Sequence, residues 1–306
     1  MTLSRRRSSC FYFAAFLPLV LLGSTLVSLS ASPVAIAGDV RVMSFNIRYG
    51  TASDGENHWE RRKEFVAETI AAYDPDLLGT QETLEFQKQF LEQQMPDYTS
   101  VGLGRDDGSD KGEMTALFFK TKRFELRDEG HFWLSETPGK AGSKSWDSSL
   151  PRICSWVRLK DRQSDAPREI LFINTHFDHR GQQARNESAA LVLRKIDELG
   201  ADCDVVLTGD FNSSVTSVPY RTLFADAAES SRLVDTFAVA GTKETKGDTT
   251  ISRFLGDQFA GPRIDWIATR GNWKILDAQI DRTAKEGRAP SDHYPVTARL
   301  QRDGKK

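Results

Sequence analysis

Residues 169–212, "EILFINTHFDHRGQQARNESAALVLRKIDELGADCDVVLTGDFN", read as a strand, a long helix and a second strand. The apolar run "ILFI" suits a strand. The helix covers 182–200, with Ala189, Val192, Leu193, Ile196 and Leu199 on one face and Gly200 as its stop. "DVVLTGDFN" then repeats the first pattern, apolar until it turns polar at its end. Two histidines, His176 and His179, close the first strand. A zinc site is the first chemistry such a pair suggests. Side chains three apart along a strand point to opposite faces, however, so the pair splits into one working residue and one neighbour.

Outward from this unit, short β-rich runs keep alternating with helical patterns. "VRVMSFNIRY" (40–49) is strand-like, and "WERRKEFVAETIAAY" (59–73) has a helical apolar period closed by "DPD". "LLGTQE" and a second helix, "TLEFQKQFLEQQM", follow. Strand signals then dominate in "YTSVGL", "MTALFFK", "FELRDEGHFWLS" and "ICSWVRLK". After residue 212 come a shorter helix near "YRTLFADAAE" and three strands, "RIDWIAT", "WKILDAQI" and "YPVTARL". Helices spread among so many strands predict an α/β domain in which two sheets pack face to face beneath outer helices. Residues 135–152 and 240–262 read as long loops, which makes them candidate functional rims.

The N-terminus reads differently. Arg5, Arg6 and Arg7 precede an apolar stretch and the A-x-A site in "ASPVAIAG", the layout of a signal peptide over 1–37; the alternative is an uncleaved membrane anchor. The expected location is therefore exported, periplasmic or extracellular, or else membrane-anchored, with 38–306 as one domain. Cleavage would remove three bases and no acid, leaving 38 Lys and Arg against 43 Asp and Glu. Such a balance argues against a uniformly basic surface for gripping duplex DNA. Of the cysteines beyond the leader, Cys154 and Cys203, each sits in an apolar context that suits a buried thiol, with a disulfide left open. No oligomerisation element is evident, so a monomer is expected.

Polar residues gather where the strands stop: Asn46, Glu82, His176, His179, Asp210, Asn212, Asp265, Asp292 and His293. Each has a dull explanation alone. Glu82 could be solvated, "GDFN" could be a turn, and Asp265 could pair with Arg263. Their recurrence at six strand ends is less easily explained that way, because sites in sheet-based enzymes form where strand ends converge.

The ordered set "FNIR", "QE", "NTH", "GDFN", "RIDWI" and "SDHYPV", from about Val40 to Leu300, resembles the endonuclease/exonuclease/phosphatase superfamily of deoxyribonuclease-like fold. The resemblance implies a four-layer α/β/β/α sandwich of two mixed sheets and a Mg²⁺- or Mn²⁺-dependent phosphoester hydrolase. It makes Glu82 the principal metal ligand, with Asn46 beside it and Asp292 supporting it; hard oxygen donors suit such a cation. Asp210 would orient and deprotonate the attacking water. Asn212 would hold a phosphate oxygen or the nucleophile. His293, backed by Asp265, would face the phosphate as a cation. His176 would be a second phosphate-facing donor, paired with Glu113 in "GEMTALFF", and His179 a rim residue.

Substrate is less determined. Arg48 stands where abasic-site endonucleases carry an acid, and the inositol polyphosphate 5-phosphatase signature is not found. "NTHFDHRG" and "FWLSETP…SWD…PRICSW" look most like an exported bacterial branch near deadenylase-like nucleases. The favoured expectation is a nuclease or phosphodiesterase acting on single-stranded nucleic acid or nucleotides. Trp133, Trp146, Phe254 and Phe259 are candidates to stack on bases, and Arg48, Arg152, Arg180, Arg185 and Arg263 to hold phosphates. The alternatives are a lipid-headgroup or sugar-phosphate phosphoesterase, with membrane contact only if the leader is retained, and an inactive binding domain.

Overall fold

The computed structural model describes residues 1–2, 39–164, 166–224, 232–243 and 247–302. The expected leader over 1–37 lies outside the described residues except for its first two positions. Among the described residues no helix is long and apolar enough to cross a membrane.

The first sheet contains β1 (Asp39–Asn46), β2 (Leu77–Thr83), β3 (Tyr98–Val101), β4 (Met114–Lys120), β11 (Trp273–Ile280) and β12 (Val296–Arg302), in the order β11-β12-β1-β2-β4-β3. The second contains β5 (Phe124–Trp133), β6 (Ile153–Asp161), β7 (Ile170–His176), β8 (Asp204–Asp210), β9 (Val234–Asp235) and β10 (Asp265–Arg270), in the order β5-β6-β7-β8-β10-β9. Both are mixed. β1 runs parallel to β2 and β7 parallel to β8, while the other pairs are antiparallel.

Side-chain alternation builds the layers. Along β1, Val40 and Val42 enter the core between the sheets with Phe172, Val206 and Ile267. Met43 and Phe45 face the other way, onto Trp59, Val66 and Ile70 of α1 (Trp59–Tyr73) and Leu91 of α2 (Glu85–Gln94). In the second sheet Leu171, Ile173, Val205 and Leu207 back onto Ala189, Val192 and Ile196 of α3 (Gln182–Gly200). The result is the expected α/β/β/α sandwich, with β1, β7 and β8 buried throughout.

The helix ends follow local chemistry. α1 stops at Asp74, which takes the left-handed conformation (φ 53°) ahead of Pro75. α3 starts after Gly181 and borrows its cap from the 135–152 loop: Asp147 Oδ1 accepts from Ala184 N at 2.6 Å and Oδ2 from Gln183 N at 3.2 Å. α2 begins at Glu85 instead of Thr83, because β2 continues through Thr83 and Leu84 is extended. The shorter expected helix is α4 (Val218–Leu223), and 225–231 lie outside the described residues. Beyond it, β9 and α5 (Thr236–Ala240) were not expected, being too short to show a period.

Near one end of the sandwich the space between the sheets turns polar. Asn174 Nδ2 donates to Thr80 O (2.8 Å) and Ala116 O (3.0 Å), and its Oδ1 accepts from Gln81 Nε2 (2.7 Å) and Thr208 Oγ1 (3.1 Å). This amide joins the two sheets. Gly79 makes the approach possible, since a Cβ there would stand 2.2 Å from Thr208 Oγ1. Cys154 and Cys203 are both buried and free.

Candidate active site

The strand register places the polar ends together. His176 pairs with Asp210 across β7 and β8, and Asp265 pairs with Asp210 across β8 and β10. Asn46 ends β1, Glu82 lies near the end of β2, and His293 precedes β12, which runs antiparallel to β1. Ser291 Oγ donates to Asn46 O at 2.7 Å, fixing the 290s segment against β1. Arg62 does the same for the neighbouring loops, donating from its buried guanidinium to Asn57 O, Ile47 O, Arg48 O and Pro290 O.

Three site residues hold a left-handed backbone: Arg48 (φ 59°), Glu82 (φ 58°) and Asn212 (φ 46°). Asn tolerates this region; Arg and Glu rarely adopt it, at a cost of order 1–3 kcal/mol each. Glu82 sits where the β2–β4 register slips between Thr80 and Thr83, so a bulge turns it toward the cleft.

Two clusters result. In the first, Glu82 Oε1 accepts from Asn46 Nδ2 (3.2 Å) and Oε2 from Tyr49 N (3.0 Å). Arg48 Nη1 stands 3.9 Å from Glu82 Oε2 and 3.6 Å from Asp292 Oδ2, so two acids converge on cationic charge. Burial, with the charge of Glu82 adding to it, raises the pKa of Asp292 despite His293 and Arg48. Hard and oxygen-rich, with two carboxylates facing the one Arg48 guanidinium, this end fits a divalent cation. Asn46 stands beside those acids, but its amide nitrogen also donates to Asp210 Oδ2 (3.0 Å) and its Oδ1 accepts from Arg48 N (3.0 Å). It therefore links the Glu82 end to Asp210.

In the second cluster, His293 Nδ1 lies 2.9 Å from Asp265 Oδ2 and its Nε2 3.9 Å from Asp210 Oδ2. Burial opposes a charged imidazole, but the charges of Asp265 and Asp210 and the bond to Asp265 raise its pKa well above the ordinary value. Asp210 is pushed up to about 7, first by burial and then by the charge of Asp265. One donor each from Asp210, Asp265 and His293 lies within 4.8 Å of the others, but Asp265 and His293 are spent on each other, which suits an ion better at the Glu82 end.

His176 lines the same cleft. Asn212 Nδ2 donates to Phe177 O (3.1 Å) and lies 3.0 Å from His176 Nε2, so that ring nitrogen accepts and the proton sits on Nδ1. Burial, then the nearby charges of Arg152 and Arg105, hold the His176 pKa well below the usual value. Its Nε2 thus supports Asn212, and the donor the ring retains is Nδ1–H. Glu113 Oε2 stands 3.8 Å from His176 Nδ1, the pairing expected, while Arg105 holds both Glu113 oxygens at 2.7 Å. Arg105 escaped sequence reading; it lies in the charged loop "GRDDGSDKGE", which has no period to flag it.

The expected substrate contacts divide. A cleft of about 390 Å³ is lined by Arg48, Glu82, Glu113, Arg152, His176, His179, Asp210, Asn212, Asp292 and His293, together with Tyr49 and Leu150. Arg263 is not among them: it is buried and paired with Asp235 (Nη2 to Oδ2 2.5 Å). Arg185 clamps the start of α3, donating to Asp178 O and Gln182 Oε1, both at 2.9 Å. Arg180 is exposed beside the same turn and does not line the cleft. Phe254 lies under Arg62, Phe259 under Arg282, and Trp133 is buried with its Nε1 on Arg105 O. Trp146 is half-buried.

Two mixed sheets whose aligned ends gather these carboxylates, amides and imidazoles in one cleft define a phosphoester hydrolase. The chain belongs to the Endonuclease/Exonuclease/phosphatase family, matched over residues 43–293. It is similar to a family protein of Bacteroides thetaiotaomicron of solved structure, at 36% identity and a TM-score of 0.79 over 87% of this chain and 98% of that one. A mannosyl-6-phosphatase of Bacteroides thetaiotaomicron VPI-5482 is similar at 36% identity and a TM-score of 0.77, over 85% of this chain and 99% of that one. Mouse nocturnin is 23% identical over 287 residues, 84% of this chain; the match spans 63% of nocturnin.

Proposed function

We propose that this protein is a Mg²⁺-dependent phosphatase acting on a compact hydroxylated alcohol, a sugar phosphate. The nuclease reading gives way to this one. The observation that carries it is the cleft, about 390 Å³ and small-molecule in size, whose lining includes none of the four aromatics expected to stack on bases. Identity of 36% with a mannosyl-6-phosphatase, over 85% of this chain, supports the same reading.

The residues divide the work of in-line hydrolysis. Asn212 has spent its amide nitrogen on Phe177 O and His176, which leaves its oxygen to accept a hydrogen bond from the attacking water. Asp210 takes the proton of that water, and Asn212 N donates to its Oδ1 at 2.9 Å to fix the carboxylate. His293, held as a cation by Asp265, stabilises the charge that builds on the phosphoryl oxygens. Glu82 and Asp292 would hold a divalent cation, which would supply Lewis acidity to the reaction. The leader expected over 1–37 supports export, which N-terminal sequencing of protein secreted by its own host tests.

The deciding assay is product release by the purified protein, in Mg²⁺ and in EDTA, from mannose 6-phosphate, single-stranded RNA and bis(4-nitrophenyl) phosphate. Mg²⁺-dependent turnover fastest on the sugar phosphate is expected. Faster cleavage of RNA or the diester returns the site to the nucleases.

A further inference from the structure

Part of the cleft lining belongs neither to the metal end nor to the water-activating groups: Leu150, Arg152 and His179. They come from the end of the 135–152 loop and from the turn after β7, two segments joined by one buried carboxylate. Asp178 Oδ2 accepts from Ser149 Oγ (2.7 Å), Ser149 N (3.0 Å), Ser148 Oγ (3.2 Å) and Leu150 N (3.3 Å). Its Oδ1 accepts from Gly181 N (2.7 Å) and Arg180 N (2.9 Å). This wall is therefore built before substrate arrives.

Its hydrogen-bonding character follows from one contact. Arg152 Nη2 lies 2.9 Å from His179 Nδ1. A guanidinium only donates, so Nδ1 accepts and the ring proton resides on Nε2. Burial and the charge of Arg152 lower the His179 pKa, so the imidazole is neutral. Leu150, 38% exposed, adds an apolar surface. Arg152 itself is enclosed, 4% exposed, with Asp178 at 3.6 Å and Glu113 at 4.0 Å opposing its charge. The wall thus offers one neutral N–H donor beside an apolar face, and its cation is enclosed, making its one hydrogen bond to His179 while Nε and Nη1 face the two acids at longer range.

We propose that Leu150 and His179 form the subsite for the alcohol part of the substrate. His179 Nε2–H donates to a hydroxyl oxygen of a sugar ring, Leu150 covers the ring's C–H face, and Arg152 is a positioning residue that acts through His179. The proposal rests on the sugar-phosphate reading and gives that reading its specificity element. A second phosphate, or a nucleic-acid backbone, would call for an exposed cation here instead, and Arg152 is enclosed.

The test uses the full chain with Mg²⁺ and compares kcat/KM for mannose 6-phosphate with that for 4-nitrophenyl phosphate, which lacks ring hydroxyls. His179→Ala lowers the ratio of the two by about tenfold or more, chiefly through KM for the sugar phosphate. His179→Gln restores most of the ratio, because its amide can accept from Arg152 and donate to substrate as the locked imidazole does. Arg152→Met lowers the ratio in the wild-type background but not further in His179→Ala, the non-additivity expected of a residue acting through another. Arg152→Lys keeps a buried donor and guards against misfolding of the Met variant.

Equal losses on both substrates in His179→Ala, in a wild type that does hydrolyse the sugar phosphate, overturn the subsite alone. Additive losses at Arg152 and His179 overturn the positioning role. A wild type that hydrolyses nitrophenyl phosphate and no sugar phosphate overturns the subsite and the substrate reading together.

Discussion

His293 and Asp265 are locked by a 2.9 Å contact between two buried side chains, one from the segment ahead of β12 and the other the first residue of β10. The pairing raises the imidazole pKa well above its ordinary value against the pull of burial. A cationic His293 stabilises developing phosphoryl charge, so activity falls on the alkaline side as the ring loses its proton. Asp265→Asn keeps an acceptor but removes the charge. It should lower kcat/KM by about 10²- to 10³-fold and move the alkaline limb to lower pH. A pH–rate profile of the variant tests this: an unmoved limb at full activity would separate the pair from the chemistry.

Asp210 sets the acidic limb. Burial, and next the charge of Asp265, push its pKa up to about 7, while His293 and the bonds from Asn212 N and Asn46 pull it down. A base works only when ionised, so kcat/KM should rise with pH through the neutral region. Positive charge at the Glu82 end favours the ionised form, so the limb should shift to lower pH as Mg²⁺ concentration rises. Profiles at two Mg²⁺ concentrations read the shift, and a limb indifferent to Mg²⁺ at subsaturating metal would uncouple Asp210 from that end.

How much of this could be read from the sequence depends on the range of the interactions. The extents of α1 and α3 were legible to the residue, because their apolar periods run long and end at Asp74 and Gly200. The strand-end polar residues were legible as a set because each follows an apolar run. Partners fixed by packing between distant segments were not. Asn174 looked like part of the "NTH" motif, yet its amide joins the sheets. Glu113 was matched with His176, which it meets at 3.8 Å, but its nearer partner Arg105, eight residues upstream, was not foreseen. Arg263 was a phosphate-binding candidate, and it is committed to Asp235 in a stretch too short to show a pattern.

Arg48 and Glu82 should move metal affinity in opposite directions. Glu82→Gln removes a hard anionic donor and should raise the Mg²⁺ concentration needed for half-maximal activity by about tenfold or more. Arg48 is held by Asp54 through two 3.0 Å bonds, and its Nη1 reaches toward both acids. Arg48→Met removes a competing positive charge and should tighten divalent binding, by an interaction on the order of 1 kcal/mol in this partly exposed setting. Calorimetric titration with Mn²⁺ reports binding without turnover. Parallel changes in the two variants would contradict the assignment of Glu82 and Asp292 as the cation's holders.

Asp178 should matter to stability more than to chemistry, and its effect should depend on pH. Burial opposes its charge, but the bonds from Gly181 N, Ser149 and Arg180 N prevail and hold its pKa well below the ordinary carboxylate value. A carboxyl depressed in the folded state stabilises fully above its unfolded pKa of about 4, and the contribution drains away as pH falls from there toward the folded value. Asp178→Asn turns an amide N–H₂ toward one set of these donors, leaving buried N–H and O–H groups unpaired at a cost of roughly 2–4 kcal/mol. Thermal melts at pH 7 should therefore place the variant's Tm clearly below that of the wild type, and the gap should narrow as the pH is lowered below about 4. A gap that widens on acidification would mean that the charge of Asp178 is not what joins the 135–152 loop to the turn after β7.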